Sequence, residues 1–357
     1  MEKEFKLMKG NEAIAEAAIR AGADAFYGYP ITPQTEVMEY LMEVDAESRT
    51  GMVVLQAESE VSAINMVYGA AATGHRVLTS SSSPGISLMS EGISYLAGAE
   101  LPCLLINVSR RGPGLGTIQP SQADYFQTVK GGGHGDYKLL TLAPSSVQEM
   151  ADFIAEGFDL AFKYRNPVMI LSDGALGQMM EKIVLPEQRD RLSEYPDWAT
   201  NGTPEGKERR FVTSLNLLPQ QHEMVNIRLQ EKYRAMEENE VRYEMIQCED
   251  AEYIIVAFGI IARIAQKSIE LARAKGHKIG LFRPITLYPF PMKEITALAN
   301  NNRVKGFMSV ELNAGQMVED IRLAVEGRKP VGFFGRLGGM VPSPEEIENA
   351  IYKEFNL

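Results

Sequence analysis

Short apolar segments alternate with helical stretches along most of the chain, and this alternation restricts the fold more than any other feature. Residues 25–29, 53–55 and 76–79 have the length and composition of buried strands, and helical spacing fills intervals such as 61–72. Strands that are joined through helices pair in parallel and bury both faces of their sheet. The sequence therefore predicts an α/β protein in which a parallel sheet carries helices on both faces.

The alternation is interrupted once, and the interruption divides the chain into three regions. It stops near residue 185, gives way to a Pro/Gly-containing and then highly charged stretch, and resumes at 253–258. We expect an α/β domain at 1–185, a linker with one long charged helix at 186–249, and a smaller α/β domain at 250–357.

Composition excludes several classes of function. Of the 357 residues, 45% are hydrophobic and 23% are charged, which is ordinary for a soluble globular protein. The formal net charge of −11 argues against a nucleic-acid partner, which requires clustered Lys and Arg. No segment approaches the ~18 uninterrupted apolar residues of a membrane span, and residues 1–6 lack the apolar core of a signal peptide. We expect a cytoplasmic protein without a membrane partner.

The two cysteines limit the redox chemistry of the chain. Cys103 and Cys248 lie far apart and form no CxxC motif. This spacing argues against a disulfide framework, a zinc site and a self-contained iron–sulfur cluster. Any electron-transfer group would therefore belong to another chain.

Two short motifs point to a ligand site. YPITP at 29–33 places prolines on either side of Ile31 and Thr32, which holds a strand-to-helix turn extended. QAESE at 56–60 follows an apolar strand and leads into a helix, so Glu60 lies at the carboxyl end of a strand, where open α/β sheets bind ligands. Taken alone, Glu60 could be a solvated carboxylate at a helix start. Glu58 is the alternative to Glu60 because extended chain would turn both toward one face.

Other polar segments follow predicted strands or lie in glycine-rich loops. SSSPG at 81–85 could offer backbone N–H groups to an anion or a ring, or could be a simple helix cap. Arg110 and Arg111 end an apolar strand. His134, in a loop of glycines, has a titrating ring that suits an active site, although a structural role is as plausible. Asn107 and Gln119 are further candidates for lining the same site.

Two patterns imitate phosphate sites without meeting their requirements. Residues 172–174, Ser-Asp-Gly, followed by Asn201 resemble a magnesium–diphosphate motif that lacks its first glycine. Gly335-Arg336-Leu337-Gly338-Gly339 does not fit the spacing of a dinucleotide or Walker loop. We predict no metal ligand on this chain.

Six segments together resemble the α subunit of 2-oxoacid:ferredoxin oxidoreductases, nearest to the branched-chain (2-ketoisovalerate) type and more distantly to the 2-oxoglutarate and pyruvate types. They are KGNEA at 9–13, YPITP, QAESE, SSSPG, GGGHGDY at 131–137 and FRPITLYPFP at 282–291. The resemblance implies a thiamine-diphosphate-binding fold. Its pyrimidine domain would be followed by a smaller α/β domain similar to the carboxyl-terminal domain of transketolase.

The resemblance also implies roles for individual residues. Glu60 matches the carboxyl group that bonds the aminopyrimidine ring of thiamine diphosphate. Thr32 and Arg110 match residues that contact the 2-oxoacid, with Arg111 as the rival of Arg110. The remaining positions that we expect at or near the cofactor are Pro30, Ser83, Gly85, Glu58, Asn107, Gln119 and His134.

The implied activity is the coenzyme A-dependent oxidative decarboxylation of a 2-oxoacid, 2-ketoisovalerate or 2-oxoglutarate, with reduction of ferredoxin. A β subunit would hold Mg²⁺, the diphosphate and an iron–sulfur cluster, and the other partners would be a γ subunit and a ferredoxin-like δ subunit. Iron–sulfur clusters would lie only on partner subunits. The chain alone would be inactive, and two-fold self-association is expected. The alternatives are a subunit of a split, non-oxidative thiamine-dependent decarboxylase and a non-catalytic assembly subunit.

Overall fold

A computed structural model describes residues 4–203 and 208–357. Four positions of the predicted linker, 204–207, lie outside the described residues. The strands are β1 (Phe5–Lys9), β2 (Ala25–Gly28), β3 (Val53–Gln56), β4 (Val77–Ser81), β5 (Leu104–Ser109), β6 (Leu140–Leu142), β7 (Val168–Asp173), β8 (Met180–Val184), β9 (Tyr243–Ile246), β10 (Tyr253–Val256), β11 (Ile279–Pro284), β12 (Thr286–Tyr288), β13 (Gly306–Glu311) and β14 (Val331–Gly335).

The helices occupy most of the intervals between these strands. They are α1 (Gly10–Arg20), α2 (Thr35–Glu43), α3 (Ala46–Thr50), α4 (Glu60–Ala72), α5 (Ser83–Gly98), α6 (Tyr125–Val129), α7 (Val147–Tyr164), α8 (Gly174–Gln178), α9 (Pro219–Asn239), α10 (Gly259–Ala274), α11 (Met292–Asn300), α12 (Met317–Val325) and α13 (Pro344–Phe355). Within the described ranges, none has the length and apolar content needed to span a bilayer.

The first sheet has the strand order β12-β6-β7-β5-β4-β2-β3. Strands β2 to β7 run parallel, so all their carboxyl ends meet at one edge, and only β12 is antiparallel. The chain passes from β2 outward to β3 and then returns to β4 on the other side of β2. This reversal creates a crevice between the carboxyl ends of β2 and β4.

Helices pack around this sheet in two groups, α1 with α2 and α7, and α4 with α5. Small residues permit the close approach. A Cβ on Gly92 of α5 would lie 2.6 Å from a side-chain carbon of Ile64 on α4, and a Cβ on Gly157 of α7 would lie 2.6 Å from one of Leu104 on β5. The α4–α5 contact determines where the amino-terminal ends of both helices meet the carboxyl edge of the sheet.

The second sheet has the order β14-β13-β10-β11-β9, with β9 antiparallel to the others. Helices α10 and α13 pack against each other, as do α11 and α12. The predicted division of the chain into three regions stays a prediction. Two strands join sheets across the predicted boundaries. β12 lies within 250–357 but pairs with β6 of the first sheet, and β9 lies within 186–249 but belongs to the second. A separate antiparallel pair joins β1 to β8.

Candidate functional site

Most of the predicted site residues lie at the carboxyl edge of the first sheet. YPITP follows β2, Glu60 follows β3, SSSPG spans the end of β4, and Arg110 follows β5. Because these four strands are neighbours in the sheet, the segments that follow them are brought side by side. Pro30 and Thr32 lie on one side of the crevice between β2 and β4, and Ser83 and Gly85 lie on the other.

Glu60 is the first residue of α4, and only 6% of its surface is exposed. The Ser59 hydroxyl caps this helix by accepting a hydrogen bond from the Ser62 N–H at 3.2 Å. Glu58, two residues earlier, is exposed. Among the described residues, none donates a hydrogen bond to the Glu60 carboxylate. The structure therefore buries one of the two candidate carboxylates and leaves it without a protein partner.

Gly85 brings the start of α5 against Glu60. A Cβ at this position would lie 2.0 Å from Ser81 Oγ and 2.7 Å from Glu60 Oε1, so only glycine permits this approach. The buried Ser81 and Ser82 hydroxyls have no hydrogen-bond partner among the described residues. Buried polar groups are normally satisfied, so an unsatisfied group beside an unpaired buried carboxylate indicates a ligand.

Arg110 and Thr32 are in direct contact. Arg110 Nη1 donates a hydrogen bond of 2.9 Å to the carbonyl oxygen of Thr32, and Thr32 itself is exposed. The buried Nε of Arg110 has no partner among the described residues. A guanidinium with a free N–H beside an exposed threonine is suited to a carboxylate ligand.

Arg111 is anchored through its backbone. Its N–H donates to the carbonyl oxygen of Gln119 at 3.0 Å, and its own carbonyl oxygen accepts from the Thr117 N–H at 2.9 Å. Gln119 is exposed, and a Cβ on Gly339 would lie 2.3 Å from its Cβ. Both arginines line one cavity of about 760 Å³, together with Ser83, Asp124 and Gln316. Of the two arginines, only Arg110 donates a hydrogen bond to Thr32 among the described residues.

Asp124 joins this group although no sequence motif marks it. Its Oδ2 accepts hydrogen bonds from the Ser83 hydroxyl at 2.6 Å, the Asn107 amide at 2.9 Å and the Ser109 hydroxyl at 3.0 Å. Asn107 is fully buried on β5, and its Oδ1 has no partner among the described residues. Asn107 thus contacts the site through Asp124.

The structure places His134 away from these residues. Its carbonyl oxygen accepts a hydrogen bond of 2.7 Å from the Ser94 hydroxyl, and its ring lies 5.8 Å from that of Tyr95. Ser94 follows Ser83 by eleven positions on α5, a separation of about 16 Å along a helix. His134 is exposed and lies near the opposite end of the helix from Gly85.

Asp173 has a structural role as a helix cap. Its carboxylate caps α8 by accepting hydrogen bonds from the N–H groups of Ala175 and Leu176, at 2.8 and 3.2 Å. Burial raises its pKa to about 6. Asn201 is exposed. Across 4–203 and 208–357, no cluster of three His, Cys, Asp or Glu side chains is arranged to hold a metal ion.

Two family models match the chain. The model described as pyruvate flavodoxin/ferredoxin oxidoreductase, thiamine diphosphate-binding, matches residues 16–249. The model of pyruvate:ferredoxin oxidoreductase core domain II matches residues 251–347. The two matches meet between β9 and β10.

Curated relatives share most of their length with this chain. The ketoisovalerate oxidoreductase subunit VorB of Methanothermobacter marburgensis is 51% identical, over 94% of this chain and 93% of the relative. The 2-oxoglutarate synthase subunit KorA of Methanocaldococcus jannaschii is 34% identical, over 98% of this chain and all of the relative.

Solved structures share the fold. The 2-oxoglutarate:ferredoxin oxidoreductase of Magnetococcus marinus, with 2-oxoglutarate, coenzyme A and succinyl-CoA bound, superposes with a TM-score of 0.86 at 28% identity. The match covers 99% of this chain but 65% of that one. A split-gene transketolase, described as an inactive β4 tetramer, has a TM-score of 0.60 at 12% identity over 98% of this chain and 99% of that one. These matches confirm the predicted thiamine-diphosphate-binding fold.

Proposed function

Because the chain belongs to the 2-oxoacid:ferredoxin oxidoreductase family as an α-type subunit, we propose that its carboxyl-edge crevice holds the aminopyrimidine half of thiamine diphosphate. The observation that carries this proposal is the buried Glu60 carboxylate, which no described residue hydrogen-bonds, next to the close backbone approach at Gly85. The unpaired hydroxyls of Ser81 and Ser82 fit a polar ring in the same place. Pro30 and Ser83 frame the crevice.

Glu60 controls protonation in this proposal. Its carboxyl group holds a proton at the ring nitrogen of the aminopyrimidine, which favours the tautomer whose exocyclic nitrogen can act as a base. The bound cofactor supplies the carbanion chemistry for decarboxylation of a 2-oxoacid, and this chain supplies orientation and proton control. Burial of Glu60 at the start of α4 keeps water from competing for its oxygens.

Arg110 and Thr32 bind the substrate. The carboxylate of a 2-oxoacid is planar and anionic, and the Arg110 guanidinium matches both properties. The hydrogen bond from Arg110 to the Thr32 carbonyl oxygen sets the guanidinium beside the Thr32 side chain. Arg111 lines the same cavity and supplies a second positive charge there.

The site is completed by a partner subunit. Large apolar side chains on β3, α4 and α5 are exposed beside the crevice, namely Val53, Leu55, Val61, Met66 and Leu88. Val61 adjoins Glu60 in sequence, so a protein covering this surface also covers the crevice. The β subunit that fits this surface holds Mg²⁺ and the diphosphate, and iron–sulfur clusters on partner subunits pass electrons to ferredoxin.

The substrate is a branched-chain 2-oxoacid such as 2-ketoisovalerate, and coenzyme A accepts the acyl group. The relative at 51% identity carries the ketoisovalerate name, and relatives at 34% carry the 2-oxoglutarate name. Leu115, at the tip of the loop that bears Arg111, lines the cavity and is an apolar candidate contact for the substrate side chain. A difference of one methylene is worth only about 1–3 kcal/mol, so we expect overlapping substrates.

Two isosteric variants test the proposal. The tagged chain is purified without oxygen together with its partner subunits, and 2-oxoacid-dependent reduction of ferredoxin is measured. Glu60→Gln is expected to abolish turnover while assembly and thermal stability persist, because glutamine cannot exchange the proton. Glu58→Gln, two residues away and exposed, is the matched control and is expected to keep wild-type rates. Wild-type turnover by Glu60→Gln would refute the assignment.

A further inference from the structure

Asp124 lies between the candidate site and the second α/β region, by which we mean the second sheet with helices α10 to α13. It precedes the short helix α6 and lines the same cavity as Arg110, Arg111 and Gln316. Ser83, which follows β4, and Asn107 and Ser109, which belong to the last three residues of β5, donate to its Oδ2 at 2.6 to 3.0 Å. Hydrogen bonds to a charged acceptor are the stronger kind, so this one oxygen ties the two strand ends together.

Ser83 connects Asp124 to the substrate-binding arginine. The Ser83 hydroxyl accepts a hydrogen bond of 3.0 Å from the Arg110 N–H and lies 2.9 Å from the Arg110 carbonyl oxygen. It has one proton, which the nearer and charged Asp124 oxygen attracts more strongly than the carbonyl. Asp124 thereby orients the hydroxyl so that its lone pairs face the Arg110 N–H.

The backbone on either side of Asp124 is held by the second α/β region. The Gln122 amide donates to the Phe258 carbonyl oxygen at 2.8 Å and accepts from the Leu312 N–H at 3.1 Å. Gln316 donates to the Ala123 carbonyl oxygen and accepts from the Phe126 N–H, both at 2.8 Å. These bonds flank Asp124, so its position follows that of the second region.

We propose that Asp124 is a positioning residue for substrate binding, acting through Ser83 on Arg110, and that the second α/β region holds it in place through Gln122 and Gln316. The inference rests on the proposed function, because it assigns the effect to an arginine that binds the 2-oxoacid. A purely structural Asp124 would change thermal stability and leave the affinity for substrate unchanged. A positioning Asp124 changes KM for the 2-oxoacid more than kcat.

The test uses the assembled complex and an isosteric change. Asp124→Asn is expected to raise KM for the 2-oxoacid at least tenfold, with a smaller change in kcat, because the neutral amide no longer orients Ser83. Asp159→Asn, which removes one partner of a half-exposed ion pair with Arg189, is the control and is expected to leave both constants unchanged. A KM for Asp124→Asn within twofold of the wild type would overturn the proposal.

Further variants test whether Asp124 acts through Ser83 and whether the second α/β region holds Asp124 in place. Ser83→Ala combined with Asp124→Asn is expected to raise KM no more than the larger single change, whereas multiplied effects would mean that Asp124 does not act through Ser83. Gln122→Ala leaves Asp124 chemically intact, changes no side chain that lines the cavity, and is expected to raise KM severalfold. An unchanged KM would refute the role of the second region, even if Asp124→Asn fails to assemble. If Glu60→Gln loses turnover while Asp124→Asn keeps a normal KM, the proposed function stands and only the positioning role of Asp124 is refuted.

Discussion

The substitution Gly85→Ala tests whether Glu60 and the start of α5 form one site. The added methyl group would lie 2.7 Å from Glu60 Oε1, whereas contacts are ordinary from 3.4 Å, so the carboxylate must retreat by about 0.7 Å. Ser81 Oγ, at 2.0 Å, must move about twice as far. Misplacement of a reacting group by about 1 Å can cost about 100-fold in rate, so we expect turnover to fall by this order.

One control separates this effect from loss of stability, and one variant gives a reference for the unfolding of the chain by itself. Gly157→Ala on α7 places its Cβ 2.6 Å from a Leu104 side-chain carbon, away from the carboxyl edge of the sheet. Both changes overpack the core, at a cost of about 1–3 kcal/mol in the free energy of unfolding. Gly69→Ala, exposed on α4 with open space around it, is expected to stabilise the chain by about 0.5–1 kcal/mol.

The assay is ferredoxin reduction by the assembled complex, measured below the melting temperature of every variant and accompanied by thermal unfolding of each chain. Gly157→Ala is expected to stay within a few-fold of wild-type turnover. If Gly85→Ala loses no more activity than Gly157→Ala at equal loss of stability, the contact between Gly85 and Glu60 has no part in catalysis.

Two other predictions concern a cation and a buried acid. Arg110→Lys is expected to raise KM for the 2-oxoacid about tenfold or more in steady-state assays, because an ammonium cannot replace the planar guanidinium; an effect confined to Arg111→Lys would transfer the role to Arg111. Burial raises the pKa of Asp173 to about 6 from an ordinary 3.8, so the folded state holds this proton more tightly than the unfolded state. The free energy of unfolding should therefore fall by about 2 kcal/mol between pH 4 and pH 7 relative to that of Asp173→Asn, measured with urea, and parallel profiles would contradict this.

The sequence was most predictive where a residue follows a parallel strand. Thr32, Glu60, Ser83 and Arg110 all come directly after apolar segments, and parallel pairing brings such positions to one edge regardless of side-chain detail. The choice between Glu58 and Glu60 depended on packing, since the α4–α5 contact buries one and leaves the other exposed. Local sequence carries no information about that contact.

Other features could not be read from local pattern. Asp124 lies in a loop without a motif, and its partners Ser83, Asn107 and Ser109 are brought to it only by the sheet. Strands β9 and β12 are short and pair antiparallel with β11 and β6, which are distant from them in sequence, so the local alternation of strands and helices does not mark them. His134 lies in a glycine-rich loop, where backbone freedom leaves the direction of the side chain undetermined by sequence.

The pairing of β12 with β6 also sets an order of events during synthesis. Thr286 pairs with Leu142, 144 positions earlier in the chain. At ribosomal rates of about 5–20 residues per second, β6 waits on the order of ten seconds for its neighbour to emerge. Over that time the first sheet has an open edge, which is the kind of surface that pairs with other chains. A chain cut between β11 and β12 would keep that edge open permanently.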